Sequence, residues 1–397
     1  MSSGGDACDA TLATNAPHLR IASFDYLRGF TVLLVVLHHT VLAYATFAFL
    51  NPYDPTSTFS PIVDGARWVG FDHAVKINDT FLMPLLFFIS GLFVWPILQT
   101  KAAGSFVRRR LVRLGIPLLV GVTVLIPVAY YPTILEIELV FGKGQSFREF
   151  YIDFAARGFG PPGPLWFVGL LLILDCLAAL LYVVLPKSKG ASIERKVVVL
   201  DNAVMFALML LGLTLVTYLV MTALIDPGQW IAIGPFSVQI ARLFLYLVFF
   251  ASGVAIGARG VERSAFRGNG GFAKRWWAWV LAGVLAYAGL GASSALFGKS
   301  MLTNAAFAAA AAFMVLGVIS LFVRFARRHV LALDGLSANS YGIYILHYTV
   351  VIWLQYAVLR VPLPAVVKAT VVFLFSVSIC WGLAAALRRI KVVEDII

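Results

Sequence analysis

The chain has 397 residues, of which 61% are hydrophobic and 13% charged, about half the charged share of an ordinary soluble domain. That excludes a string of soluble domains, because apolar stretches of about 20 residues recur from Leu27 to Leu387 and leave no polar segment long enough for a separate one. A formal net charge of +12 then belongs to nucleic acid, to an acidic substrate or to membrane topology, and the position of each charge decides between them.

Residues 1–26 form a polar tail without the apolar core and cleavage site of a signal peptide, so the first apolar run is expected to be a retained span. Ten runs can cross a hydrocarbon core: approximately Leu27 to Leu50, Phe81 to Leu98, Leu114 to Tyr131, Pro164 to Leu185, Ala203 to Ile225, Val238 to Gly257, Trp276 to Phe297, Ala305 to Val323, Tyr341 to Leu359, and Leu363 to Leu387. None alternates like a barrel strand, so all should be helices. The fold expected is an all-α polytopic membrane bundle, with a membrane domain over 27–387 and a short tail over 388–397. A tight connection at Arg360 to Pro362 makes the last two spans a hairpin. Cys8 lies in the tail and Cys176 and Cys380 inside apolar runs, which suggests no disulfide framework. The longest connections, Asn51 to Thr80 and Pro132 to Gly163, are rich in Pro, Gly and aromatics. They fit ordinary capping loops, or short re-entrant elements that could shape an acceptor site. The two halves share no convincing repeat.

The even-numbered connections and both tails hold 22 of the 31 basic residues, against 7 in the odd-numbered connections. The positive-inside rule then puts both termini in the cytoplasm. The excess charge reads as topology and gives no evidence for nucleic acid. A multi-pass plasma-membrane protein of a bacterial inner membrane is expected, in contact with membrane lipid.

Ionisable residues within the spans are His38, His39, Asp175, Arg242, His347 and Lys368, and such residues are functional candidates by default. Arg242 and Lys368 lie about one turn from the outer ends of their spans, where snorkelling to headgroups is a sufficient account. Asp175 has no such escape and should face the interior as a neutral acid or paired with a cation. In the first span Arg28 and His39 are eleven residues apart, a return to within about 20° on a helix and a rise of about 16 Å. One face thus carries a cation at the cytoplasmic mouth and an imidazole near or past the midplane. That layout suits an elongated anionic molecule whose reactive end reaches inward. His38 points about 100° away and reads as a packed, hydrogen-bonded neighbour.

A neutral, buried His39 can act as a general base. No metal-ligand spacing competes with that role. The segment Ile89-Ser90-Gly91 lacks a nucleophile-elbow frame and reads as a close helix crossing. In FVRRRLVRLGIP, from Phe106 to Pro117, the arginines serve topology. Arg109 and Arg113 also share a face and could grip phosphates beside Arg28.

Together, Arg28-X10-His39, FFISG at Phe87 to Gly91, RRRLVRLGIP at Arg108 to Pro117, PLWF at Pro164 to Phe167 and SYGIYILH at Ser340 to His347 resemble the acyltransferase 3 superfamily of integral membrane acyltransferases. RLVRLGIP and the histidines of the first span look most like its glucan succinyltransferase branch. The resemblance implies transfer of an acyl group from cytoplasmic acyl-CoA, with acetyl- or succinyl-CoA as donor substrate and no permanently bound cofactor. The acceptor it implies is often a carbohydrate hydroxyl, on a glycan or glycolipid at the outer face. It makes His39 the catalytic histidine and Arg28 its motif partner. On this reading Arg28, Arg109, Arg110 and Arg113 hold the CoA moiety, and Ser90, Trp166, Tyr344 or His347 orient donor or acceptor. His347, about six residues from the cytoplasmic end of its expected span, suits the donor channel. The rival is a transporter or flippase for a polar lipid-linked or anionic substrate, which would also want an interior cation and helices broken at Pro84, Pro117 and Pro127. A membrane assembly subunit would have little use for a same-face Arg and His.

Overall fold

A chain inside a bilayer has no water to satisfy its backbone, so apolar runs close their hydrogen bonds within themselves, and here they do so as helices. The computed structural model describes residues 22–184, 198–233, 236–328, 330–394 and 396. Arg20, Cys8 and the connection carrying Lys187, Lys189, Arg195 and Lys196 lie outside the described residues.

Among the described residues nine helical segments are long and apolar enough to cross a membrane. The first two are composite. One is α2 (Val69–Leu92) with α3 (Val94–Thr100); the other joins α4 (Ala103–Arg110), α5 (Ile116–Val120) and α6 (Ile126–Phe141) through π-helical turns at Leu111–Gly115 and Gly121–Leu125. After the surface helix α7 (Phe147–Ala156) come α8 (Trp166–Val184), α9 (Ala203–Leu224), α10 (Ile240–Arg259), α11 (Trp276–Phe297), α12 (Met301–Phe325), α13 (Leu331–Val358) and α14 (Ala365–Leu387). The tenth expected span is α1 (Ala22–Leu42). Its length matches a bilayer at about 1.5 Å per residue, but Asp25, Arg28, His38 and His39 leave it outside those nine. It packs against α2, α12, α13 and α14, which shelters those polar groups. The protein is an all-α polytopic bundle, and its described strands are a short antiparallel hairpin, Trp230–Ile233 with Phe236–Gln239, ahead of α10.

Several boundaries move from their expected positions, because protein contacts as well as lipid stabilise helix here. α1 ends at Leu42 rather than Leu50, and the chain turns back through Ala43, Tyr44 and Ala45, all fully buried. Such irregular backbone is tolerated where protein covers it. α2 begins at Val69, where Asp72 accepts the Thr46 amide at 2.8 Å and the Thr46 hydroxyl. α13 begins at Leu331, and Tyr26 of α1 donates to Asp334 in its first turn at 2.6 Å. The second long connection contains α7, whose N-terminus is closed by a reciprocal Ser146 and Glu149 capping box.

Three prolines break the long segment 103–141, and each break is repaired from elsewhere. Proline cannot donate to the carbonyl four residues back. For Pro117, Pro127 and Pro132 those carbonyls are Arg113, Thr123 and Val128. They accept from Tyr341 Oη at 2.6 Å, Tyr151 Oη at 3.2 Å and Trp353 Nε1 at 3.0 Å. The expected close crossing at Gly91 is also present. A Cβ on Gly91 or Gly253 would lie 2.2 Å from the Phe250 carbonyl or 2.1 Å from the Phe88 carbonyl, so α2 and α10 meet backbone to backbone.

Candidate active site

α1 and α13 run parallel from the arginine-rich end of the bundle. α13 presents Ser337, Ser340, Tyr344 and His347 at helical spacing along the face toward α1. Arg28 donates from Nε to Ser340 Oγ at 3.2 Å and from Nη2 to the Ser337 carbonyl at 3.3 Å, and contacts Asp25 Oδ1 at 3.1 Å. Further along, the His39 ring lies 5.2 Å from His347 and 5.0 Å from Tyr348. Gln355 Nε2 donates to the His39 and Thr40 carbonyls, both at 2.9 Å, which fixes the end of α1. Because α1 stops at Leu42, His39 stands in its last turn rather than mid-span.

His347 is fully buried, and its Nδ1 lies 2.6 Å from the Tyr344 carbonyl. A carbonyl only accepts, so Nδ1 carries the proton and Nε2 presents a lone pair. That Nε2 is buried without a hydrogen-bond partner among the described residues.

Two adjoining cavities open beside this pair of helices. The inner one, of about 350 Å³, is lined by Arg28, Arg110, Arg113, Ser90, Phe167 and Tyr344 among others. The outer one, of about 720 Å³, shares Arg110 and Arg113 and adds Lys101, Arg109, Arg259 and Arg263. Arg259 is held by Asp201 at 2.7 Å and Arg28 by Asp25, whereas Arg109, Arg113 and Arg263 make no ion pair among the described residues. The cavity wall ends on Tyr344, whose ring lies 5.6 Å from His347. The pair His347 and His39 therefore stands one ring beyond a strongly basic chamber.

The family model of acyltransferase 3, an acyltransferase domain, matches residues 21–385. The chain belongs to that family. No curated protein and no solved structure matches it. With its apolar helices this makes it a multi-pass membrane acyltransferase.

Within the acyltransferase, Arg28, Arg110, Arg113, Ser90 and Tyr344 share one cavity, and Arg109 lies in the next. Trp166 lines neither. It packs, tilted or edge-on, among Phe87, Tyr246 and Trp230, and its neighbour Phe167 faces the chamber instead. His347 is not near the arginine-rich end of its helix, because the early start of α13 puts it deep in the helix beside His39. His38 packs edge-on against His39 at 5.4 Å, and its Nδ1 has no hydrogen-bond partner among the described residues.

The snorkelling expected of Arg242 and Lys368 does not occur. Arg242 turns inward to a bidentate pair with Asp79, both contacts at 2.8 Å, and lies over Phe307. Lys368 is buried against Asp64 at 2.7 Å. Asp175 is buried with Arg110 Nε 3.0 Å away, close enough for an ion pair but outside hydrogen-bond geometry. Sequence reasoning missed Lys101, Arg259 and Arg263 as cavity residues because their charge was absorbed by the topology argument. It missed Ser337, Ser340 and Gln355 because only the parallel packing of α13 on α1 brings them to the site.

Proposed function

We propose that this acyltransferase takes an acyl group from acyl-CoA, with acetyl- and succinyl-CoA the expected donors, at the arginine-rich face. It passes the group to a hydroxyl of a carbohydrate or glycolipid acceptor at the opposite face. The arginine-rich face is cytoplasmic by the positive-inside rule, in a bacterial inner membrane. The observation that carries the reading is the basic chamber of Arg28, Arg109, Arg110 and Arg113 leading to the His347 and His39 rings. Guanidinium groups are matched to phosphate by their planar forks, so the CoA phosphates would lie in the wider cavity and the pantetheine arm would extend past Ser90 and Phe167.

At the end of that arm the thioester meets the imidazole pair. His39 accepts the proton of the acceptor hydroxyl while the hydroxyl oxygen attacks the thioester carbon. The C–S bond then breaks, and the imidazolium returns its proton to the departing thiolate, giving an ester and free CoA. His347, whose tautomer is fixed by the Tyr344 carbonyl, presents Nε2 to the same space. That favours a second reading in which His347 takes the proton and His39 orients the hydroxyl.

The test is label transfer from radioactive acyl-CoA in membranes. His39→Ala should abolish transfer while leaving CoA binding intact, and full activity in that variant would sink the mechanism. If His347→Ala alone abolishes transfer, the second reading stands. A transporter would form no CoA-dependent product with either protein.

A further inference from the structure

Apart from the chamber and the histidines, a third cavity of about 530 Å³ opens where α12 ends and α13 begins. Arg324, Arg327, Arg328, Phe325 and Leu333 line it with Tyr26 of α1, and it shares no residue with the other two cavities. Arg327 gives Nε to the Val323 carbonyl at 3.0 Å, which closes the end of α12 and leaves most of its guanidinium donors for other partners. Arg324 lies 5.9 Å over the Phe325 ring. None of the three arginines makes an ion pair among the described residues. Asp334 does not line the cavity and accepts from Tyr26 Oη at 2.6 Å.

The positive-inside rule asks for basic residues in this connection, but it does not ask for three of them round one hollow. Like charges gathered there repel one another, and an anion between them relieves the repulsion. The rim decides which anion. Phe325 is 61% exposed, Leu333 40% and the adjoining Leu331 92%, so apolar side chains stand beside the arginines at the end of the spans. A free phosphate would leave that rim uncovered. A phospholipid meets both features, since guanidinium forks match its phosphate oxygens and its acyl chains cover the rim, as in other basic pockets between spans.

We infer that Arg324, Arg327 and Arg328 bind the phosphate of an anionic phospholipid, whose acyl chains lie along Phe325 and Leu333. Tyr26 is the floor of the site. Its Oη also accepts the Val330 amide at 2.9 Å, so the lipid bears on the junction that ties α1 to α13, the helices carrying His39 and His347. The inference does not depend on the transfer reading. Its probe is fluorescent phosphatidylglycerol, titrated against the purified full chain in zwitterionic micelles. Binding should saturate, and unlabelled phosphatidylglycerol should compete where phosphatidylcholine and inorganic phosphate do not. Replacing Arg324, Arg327 and Arg328 together by Gln should weaken binding about tenfold or more, the effect of at least one lost charge-assisted hydrogen bond. Lys274, Arg389 and Lys391 are exposed and line none of the three cavities, so replacing them together by Gln removes the same charge and should leave binding unchanged. Phosphatidylglycerol should also raise the melting temperature of the wild type and not that of the first triple variant. Equal weakening in both triple variants would mean diffuse surface attraction and overturn the inference. So would competition by inorganic phosphate, which would make the site one for a free anion, or the lack of saturable binding by the wild type.

Discussion

Lys368→Met tests how the connection between α1 and α2, which carries Asp64, is held on α14. Lys368 and Asp64 are each 3% exposed with Nζ and Oδ2 2.7 Å apart. At an effective dielectric constant near 20 that contact is an attraction of about 6 kcal/mol, largely cancelled by several kcal/mol of desolvation for each ion. The pair as a whole therefore contributes little, but removing one member strands the other. Among the described residues the Asp64 carboxylate would keep only the Ala66 amide at 2.8 Å, and the Leu359 carbonyl would lose its lysine donor at 3.0 Å. The expected cost is about 3–5 kcal/mol, since methionine nearly fills the lysine volume and leaves little cavity. Adding Asp64→Asn to Lys368→Met should recover most of that loss. Denaturation in mixed micelles, followed by tryptophan fluorescence, gives the double-mutant cycle. A single variant destabilised by less than about 1 kcal/mol, or a double variant no better than the single one, would refute the argument.

Other outcomes follow from the same contacts. Tyr341→Phe and Trp353→Phe each leave a proline-freed carbonyl unpaired and should each cost about 1–3 kcal/mol. Of the two, Tyr341→Phe should also weaken CoA binding, measured by isotherms, because its carbonyl belongs to Arg113 in the cavity wall. Gly253→Ala drives a Cβ to 2.1 Å from the Phe88 carbonyl, so α2 and α10 must separate, at about 1–3 kcal/mol or more. Gly212→Ala, with nothing within 4 Å, is the neutral control in the same melting assay. In the connection between α1 and α2 burial opposes ionisation of Asp54, but the hydroxyl and amide of Thr56 together with Arg157 outweigh it and hold the carboxyl below its ordinary value. A depressed folded value means stability that is present above the unfolded pKa and lost as pH falls through the folded one. Hydrogen exchange at 51–59, corrected for its intrinsic rate, should be flat from neutral pH to about 5 and rise below about 4.

The bundle was legible because the membrane imposes one rule on every span, and the apolar runs that rule requires located nearly all of them. Arg28 and His39 could be paired from spacing alone, since both lie on one helix and helical geometry is universal. What could not be read was whatever depends on a second element. That α1 stops three residues after His39 follows from the buried turn at Ala43 to Ala45, whose polar backbone is tolerated only because other helices cover it. The inward turns of Arg242 and Lys368 depend on Asp79 and Asp64, carboxylates in a connection expected to be loop. His347 was visible as a motif residue, but its contact with His39 required the parallel packing of α13 on α1. Trp166 and Phe167 are adjacent in sequence, and only the rotation of α8 decides which of them faces the chamber.

The repaired prolines bear on how this sequence can be recombined. The proline-freed carbonyls of 103–141 depend on donors at Tyr151, Tyr341 and Trp353, two of them more than 200 residues downstream. A chimera that exchanges only the arginine-bearing helix would import the prolines without their donors, leaving bare carbonyls along its length. The heritable unit is therefore discontinuous. Pro117 with Tyr341, Pro127 with Tyr151 and Pro132 with Trp353 should be exchanged, or replaced, as couples.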